Sequence, residues 1–367
     1  MKFPSIPEHL LTIKHSLKRK KTINFKPLTS KENRLIEDIK DKTTYLNKNN
    51  ITRTKAYLDF YQQFPEVHWA FLAHMVSRNA GWNMTDFKGS FLSRLLKAQQ
   101  SQSFFNFLER GNWLIFQDAF PQLLLYEKTK RSGENLFHLL PHFQVSYFME
   151  IIWQHFLKTS RADILTNGLI INEQNYIQTR LLENPLYKKE TIHTLEFQLQ
   201  DILSMNQLIF PYIKDGKVHL VGDTLHFFES LSNRILFGKK LYKILFGEQQ
   251  NQIKNWATET AHTGSRKDFW PHLFNDINEK VPNTLFKPAL QACKLLPGSS
   301  RLFSPKLTYA WPNVNHEKAE IKDWYYNWRV VHELVNYNGM LNSSITIDYC
   351  GTLKKLELAV IAKEALL

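Results

Sequence analysis

From residue 30 onward, apolar positions recur mostly three or four residues apart and seldom alternate with polar ones, a period that predicts an all-α chain. Helices are read near residues 30–48, 52–63, 65–80, 86–98, 103–130 with a break, 142–158, 161–183, 190–207, 223–246, 249–261, 317–337 and 351–366. Thr29 with Glu32, Ser160 with Asp163 and Ser265 with Asp268 each set a hydroxyl three residues before an acid, the pattern of a helix start. Gly81 and Gly339 stand where left-handed C-terminal caps are expected. One segment departs from the helical period. LIFPYIKDGKVHLV, residues 208–221, places Asp215-Gly216 between two short apolar runs and predicts a hairpin with a two-residue type I′ turn. Residues 280–316 carry five prolines among apolar side chains and read as an irregular, ordered connection. No boundary divides the body, so residues 31–367 are expected to form a single mostly helical domain behind an extension at residues 1–30.

Composition supports folding: the 367 residues are 43% hydrophobic and 13% aromatic, enough for a sizeable core. Charge singles out the extension. Of the formal +13, residues 1–31 carry +7, from eight Lys and Arg against Glu8 alone. From Glu8 to Ile23, Leu10, Ile13 and Leu17 share one helical face, and Lys14, Lys18 and Lys21 line another. Such a segment is a solvated tail, a polybasic arm for nucleic acid with Lys14, Lys18, Arg19, Lys20 and Lys21 as phosphate contacts, or an amphipathic helix on an anionic membrane surface, with the three apolar side chains inserted.

The two cysteines, Cys293 and Cys350, have no close ligand spacing, so neither a zinc ribbon nor a disulfide framework is indicated, and a reduced cytoplasmic setting fits. There is no apolar run of signal-peptide or membrane-span length. Phosphate-binding loops of the G-x-x-x-x-G-K-[ST] and G-x-G-x-x-G types, kinase motifs, H-E-x-x-H and zinc-finger spacings are all missing, so no cofactor or metal is expected.

Two polar stretches are candidates for chemistry. In AHMVSRNAGWNMTD, residues 73–86, an apolar helix runs into Ser77, Arg78, Asn79, Asn83, Thr85 and Asp86. Gly81 reads as the helix end and Thr85 as the next cap. Arg78, with His74 one turn back and Asn79 beside it, needs an anionic partner, for which Asp86 or Asp59 would serve. In TETAHTGSRKDFWPHLF, residues 258–274, Ser265 reads as a helix cap, and a catalytic version would make His262 a general base, Arg266 an anion clamp and Asp268 an orienter. In the predicted helix 317–337, Trp324, Trp328 and Val331 form a core stripe. Glu320, Asp323, Asn327 and His332 lack a metal-site framework.

ITRTKAYLDFYQQFPEVHWAFLAHMVSRNAGWNMTDFKG, residues 51–89, and HTGSRKDFWPHLF, residues 262–274, resemble the YppC-like family of Bacillus-type bacteria, a family without an assigned activity. The resemblance implies a bacterial cytosolic protein and supplies no catalytic residue. The leading expectation is therefore a non-catalytic binding protein for an anionic macromolecule, nucleic acid foremost. The rivals are an enzyme or small-molecule binder using His74, Arg78, Asn79, Asp86, His262, Arg266 and Asp268, and membrane association through residues 8–23.

Overall fold

The computed structural model describes residues 6–19, 27–185, 207–278, 286–341 and 344–366. The fold is mainly α, as the periodicity predicts, and one continuous apolar core runs from Leu10 to Val360. The helix predicted at 190–207 lies almost entirely outside the described residues, as do Lys20 and Lys21.

Helix α1 (Leu11–Lys18) buries Ile13 and Leu17, with Leu10 just ahead of it, against α7 (Tyr147–Thr159) and the 3-10 turns at Trp328–Leu334. These three side chains are 0%, 1% and 2% exposed, each burial contributing about 2 kcal/mol. The segment is thus docked on the body from residue 8 to residue 18, and the face expected to enter a membrane is part of the core.

Helix α2 (Ser30–Leu46) begins with the predicted capping box, Thr29 Oγ1 accepting from Glu32 N at 3.2 Å and Glu32 Oε2 accepting from Thr29 N at 2.8 Å. Helix α3 (Asn50–Gln63) begins with a second box, Asn49 with Thr52, which the hydroxyl-then-acid pattern does not capture. Helix α4 (His68–Asp86) is central: it meets α3, α6 (Ala98–Ser132), α8 (Ala162–Ile177), α9 (Leu231–Leu245) and strand β1 (Gln207–Lys214).

Several expected boundaries are corrected. Gly81 does not end α4. It lies inside the helix, at a position where a side chain would stand 2.5 Å from His262 Nε2. Thr85 caps nothing, its hydroxyl donating to Trp82 O (2.9 Å) and Gly264 O (2.6 Å). Of the helix expected at 86–98 only α5 (Leu92–Leu95) forms, whereas α6 continues through Pro121 without a break and stops at Gly133, φ +74°. Ser160 ends α7 in a left-handed conformation, φ 52°, instead of capping α8; there Arg161 grips Asp163 at 2.6 and 2.8 Å. Ser265 caps only the three-residue turn Arg266–Asp268.

The hairpin is where the turn chemistry put it. Strands β1 and β2 (Lys217–Thr224) pair antiparallel around Asp215 and Gly216, both at positive φ (51° and 70°). After α9 and α10 (Gln250–Glu259) the chain is irregular. Here β3 (Phe274–Asn275) pairs with β6 (Leu302–Phe303), β4 (Leu290–Gln291) pairs with β5 (Lys294–Leu295), and α11 (Leu307–Ala310) follows.

The helix expected over 317–337 is absent. Arg180 takes the main-chain carbonyls of Glu320 and Lys322, Trp324 Nε1 is fixed on Asn172 Oδ1 at 2.8 Å, and only the 3-10 turns at 328–334 form. With no helix at this point, Gly339 caps nothing. Trp324 and Val331 are buried as the stripe predicts. Helix α12 (Thr346–Ala365) closes the chain. Cys293, in the two-residue turn between β4 and β5, is disulfide-bonded to Cys350 of α12, with Cα atoms 5.4 Å apart. This corrects the reading of the cysteines as unpaired, which rested on sequence spacing alone; a bridge between residues far apart in sequence has no spacing signature. No helix among the described residues is long and apolar enough to cross a membrane.

Candidate functional site

The two polar stretches meet along one seam. Helix α4 supplies Arg78, Trp82, Asn83 and Asp86, and the loop after α10 supplies His262, Thr263, Ser265, Arg266 and Asp268. Their side chains are engaged with one another. Arg266 Nε lies 2.8 and 3.0 Å from the two Asp86 oxygens, its Nη2 is 2.7 Å from Asp86 Oδ2, and it also donates to Asn83 Oδ1 at 3.0 Å. Burial works against the guanidinium charge, the Asp86 carboxylate more than offsets it, and the net shift of its pKa is upward.

Arg78 has neither of its expected carboxylate partners. Its Nη1 and Nη2 donate to the carbonyls of Ala257 and Thr260, and its Cζ lies 4.5 Å from the centroid of the Trp256 ring. Desolvation lowers its pKa to about 10, against the pull of Asp268, so it stays charged at neutral pH. Asp86 is unavailable to it because Arg266 occupies both oxygens.

His262 resembles a general base in composition but not in its contacts. Asn50 Nδ2 donates to Ser77, which leaves Asn50 Oδ1 to accept from His262 Nε2 at 3.0 Å. Nδ1 stands 3.6 Å from Asp268, too far for a hydrogen bond. Asp268 instead accepts from Thr263 N, Thr263 Oγ1 and Trp82 Nε1. Ser265 Oγ donates to Ser304 O at 2.6 Å, so its hydroxyl is committed to the main chain and not to the imidazole. His74 binds Thr54 O through Nδ1 at 2.8 Å, and burial drives its pKa well below the ordinary value. Asn79 is a strand partner: its Oδ1 accepts from Ile209 N and its Nδ2 donates to Ile209 O, both at 2.9 Å, satisfying one residue on the edge of β1. The space beside this seam, next to Arg266 and Asp86, is about 20 Å³, room for little beyond a water molecule.

A different surface collects charge and exposed rings. Because α1 buries its apolar face, Lys14, Lys18 and Arg19 are held on the body. The Lys14 and Lys18 ammonium groups lie 5.3 and 4.5 Å from the Trp328 ring centroid, and Arg329 is 6.0 Å from it. Tyr325 OH donates to Leu17 O at 2.8 Å and Tyr147 OH to Arg19 O at 3.4 Å, anchoring the helix end. Tyr326, next to Tyr325 in the chain, is 69% exposed. Asp323, a nearby acid, accepts from the amides of Tyr147 and Tyr325. The lysines were visible in the sequence; Trp328 as their neighbour, with Arg329 at the same ring, was not, since nothing local links residues more than three hundred positions apart.

A protein-family model described as a protein of unknown function (DUF2515) matches residues 45–350. The chain is also similar to the uncharacterized protein YppC of Bacillus subtilis (strain 168), with 44% identity over 236 residues that cover 64% of this chain and 73% of that protein. No solved structure matches.

Proposed function

Since the chain belongs to the DUF2515 family, whose description carries no activity, we propose on physical grounds that it is a non-catalytic binding protein for an anionic polymer, single-stranded nucleic acid. The observation that carries this reading is the docking of α1: its apolar side is fixed in the core and its basic side is held over Trp328, whose ring Arg329 also approaches, in a stretch of chain where Tyr326 is exposed. A basic track interleaved with rings suits a flexible strand, because cations neutralise successive phosphates while ring faces accept unstacked bases. A lipid surface fits less well, since Leu10, Ile13 and Leu17 are unavailable for insertion. The closed seam of Arg266, Asp86, His262 and Asp268 supports a structural role for those residues.

The test is a salt titration of binding to labelled single- and double-stranded oligonucleotides, using the full chain and a Lys18→Glu/Arg19→Glu/Arg329→Glu variant. Tighter binding to single strands is expected, with the slope of log K against log salt falling by about 0.7 for each phosphate that the variant no longer neutralises. Equal affinity of wild type and variant, with equal slopes, would overturn the assignment.

A further inference from the structure

Between α3, α4, α8, α9 and the hairpin is a cavity of about 180 Å³. That is slightly larger than the engineered voids of about 150 Å³ that stay dry and take up benzene. Its walls are mostly apolar, with Tyr57, Trp69, Leu72, Phe228, Phe237 and Leu241 among them. Trp69 stands edge-on to Tyr57, ring centroids 5.6 Å apart. One acid, Glu173, is set into this wall.

The polar contacts of the wall separate into a closed part and an open one. Arg234 is fully engaged, with Nε on Gln174 Oε1 (3.0 Å), Nη1 on the carbonyls of Phe228 and Glu229 (2.7 and 3.1 Å), and Nη2 on Gln178 Oε1 (2.5 Å). Arg53 is paired through Nη2 with Glu109 at 2.5 Å and donates from Nη1 to Asn47 Oδ1 at 3.1 Å, while its Nε has no hydrogen-bond partner. Glu173 receives only two neutral hydrogen bonds, from Trp69 Nε1 at 3.2 Å and Gln174 Nε2 at 3.1 Å, and no cation pairs with it among the described residues. Each carboxylate oxygen can accept a further hydrogen bond. Behind it, buried Asp118 accepts from Asn172 and Gln122, and its Oδ1 has no partner.

We infer that this cavity is a binding site for a small molecule with an apolar body about the size of one aromatic ring and a protonated amine directed at Glu173. Glu173 sits in a mostly apolar wall and, among the described residues, has no cation acting on it, whereas Asp118 already feels Arg180; a ligand cation would supply the countercharge that Glu173 lacks. The aromatic walls add cation–π attraction. The ordinary state of the empty site is consistent with this: burial, assisted by Asp118, raises Glu173 to about 7 in spite of its two hydrogen bonds, so an amine would be met by a carboxyl that ionises on binding.

The probes are benzylamine and its neutral isosteres, benzyl alcohol and toluene, titrated into the full-length protein calorimetrically at pH 7.5. Benzylamine is expected to bind most tightly. Glu173→Gln, which keeps the shape and a carbonyl acceptor for Trp69, should weaken benzylamine about tenfold, the scale of one charge-assisted hydrogen bond, while leaving benzyl alcohol within about twofold. Ala73→Leu, a substitution in the cavity wall, should abolish binding of all three probes while the protein remains folded by circular dichroism. The proposal is overturned by a failure of benzylamine to bind saturably, by an equal loss of benzylamine and benzyl alcohol in Glu173→Gln, or by unchanged benzylamine affinity in folded Ala73→Leu.

Discussion

A methyl group added at Gly81 would stand 2.5 Å from His262 Nε2 and 2.6 Å from Asn50 Oδ1, so α4 and the loop after α10 approach as closely as they do because that position is glycine. Gly81→Ala should cost about 1–3 kcal/mol of unfolding free energy in urea, by forced repacking. Adding His262→Ala should recover part of that loss, and strict additivity of the two substitutions would contradict the steric account. Acidity offers a second test at this scale. Glu173 and Asp118 are each raised to about 7 by burial, from 4.5 and 3.8 respectively. Across the window between those ordinary values and pH 7 the folded chain holds protons that the unfolded chain has released, so these groups make stability fall as pH rises. Glu173→Gln should therefore lose less stability than wild type between pH 5 and pH 8; parallel curves would show that Glu173 ionises normally. Arg78 illustrates what single residues conceal. That it needed acceptors was readable from its apolar helix, but the acceptors are the carbonyls of Ala257 and Thr260, which every residue carries and no sequence pattern advertises.

At the scale of elements, those with a local signal were legible. Helices α2 and α3 and the β1–β2 hairpin lie within a few residues of their expected positions, α2 and the hairpin because capping and turn residues act over three or four positions, and α3 on its apolar period. Residues 317–337 have an equally good apolar period and form no α-helix, only the 3-10 turns at 328–334. Trp324, Val331 and Leu334 still point inward, but Arg180 and Asn172 hold the main chain and the Trp324 indole from another part of the molecule, and the helical ladder loses to those tertiary hydrogen bonds. Asn79 does the same for β1 from the side. Asn79→Leu leaves the buried Ile209 N–H and C=O without partners, a loss of about 1–3 kcal/mol. Faster hydrogen exchange at the Ile209 amide is the expected readout, and unchanged protection would mean that another group replaces the asparagine.

At the scale of the whole molecule, a charge count could locate the basic N-terminus but not show where it sits. Its placement against residues 325–329 is set by long-range burial of Leu10, Ile13 and Leu17. The Cys293–Cys350 bridge is of the same kind, joining positions 57 residues apart that only the fold brings together. Reduction, or Cys350→Ser, should lower unfolding free energy by about 2–4 kcal/mol, compared in urea with and without reductant. Identical midpoints would show that the bond adds nothing to the packing of α12. The bridge also divides the chain mechanically. Held by its two ends and pulled, the oxidised protein can extend only outside the covalent loop, so the stretch that carries Trp328 and Arg329 bears no tension. In a force-extension trace, reducing the bond should release an additional contour length of about 200 Å, since an extended chain spans roughly 3.3–3.6 Å per residue.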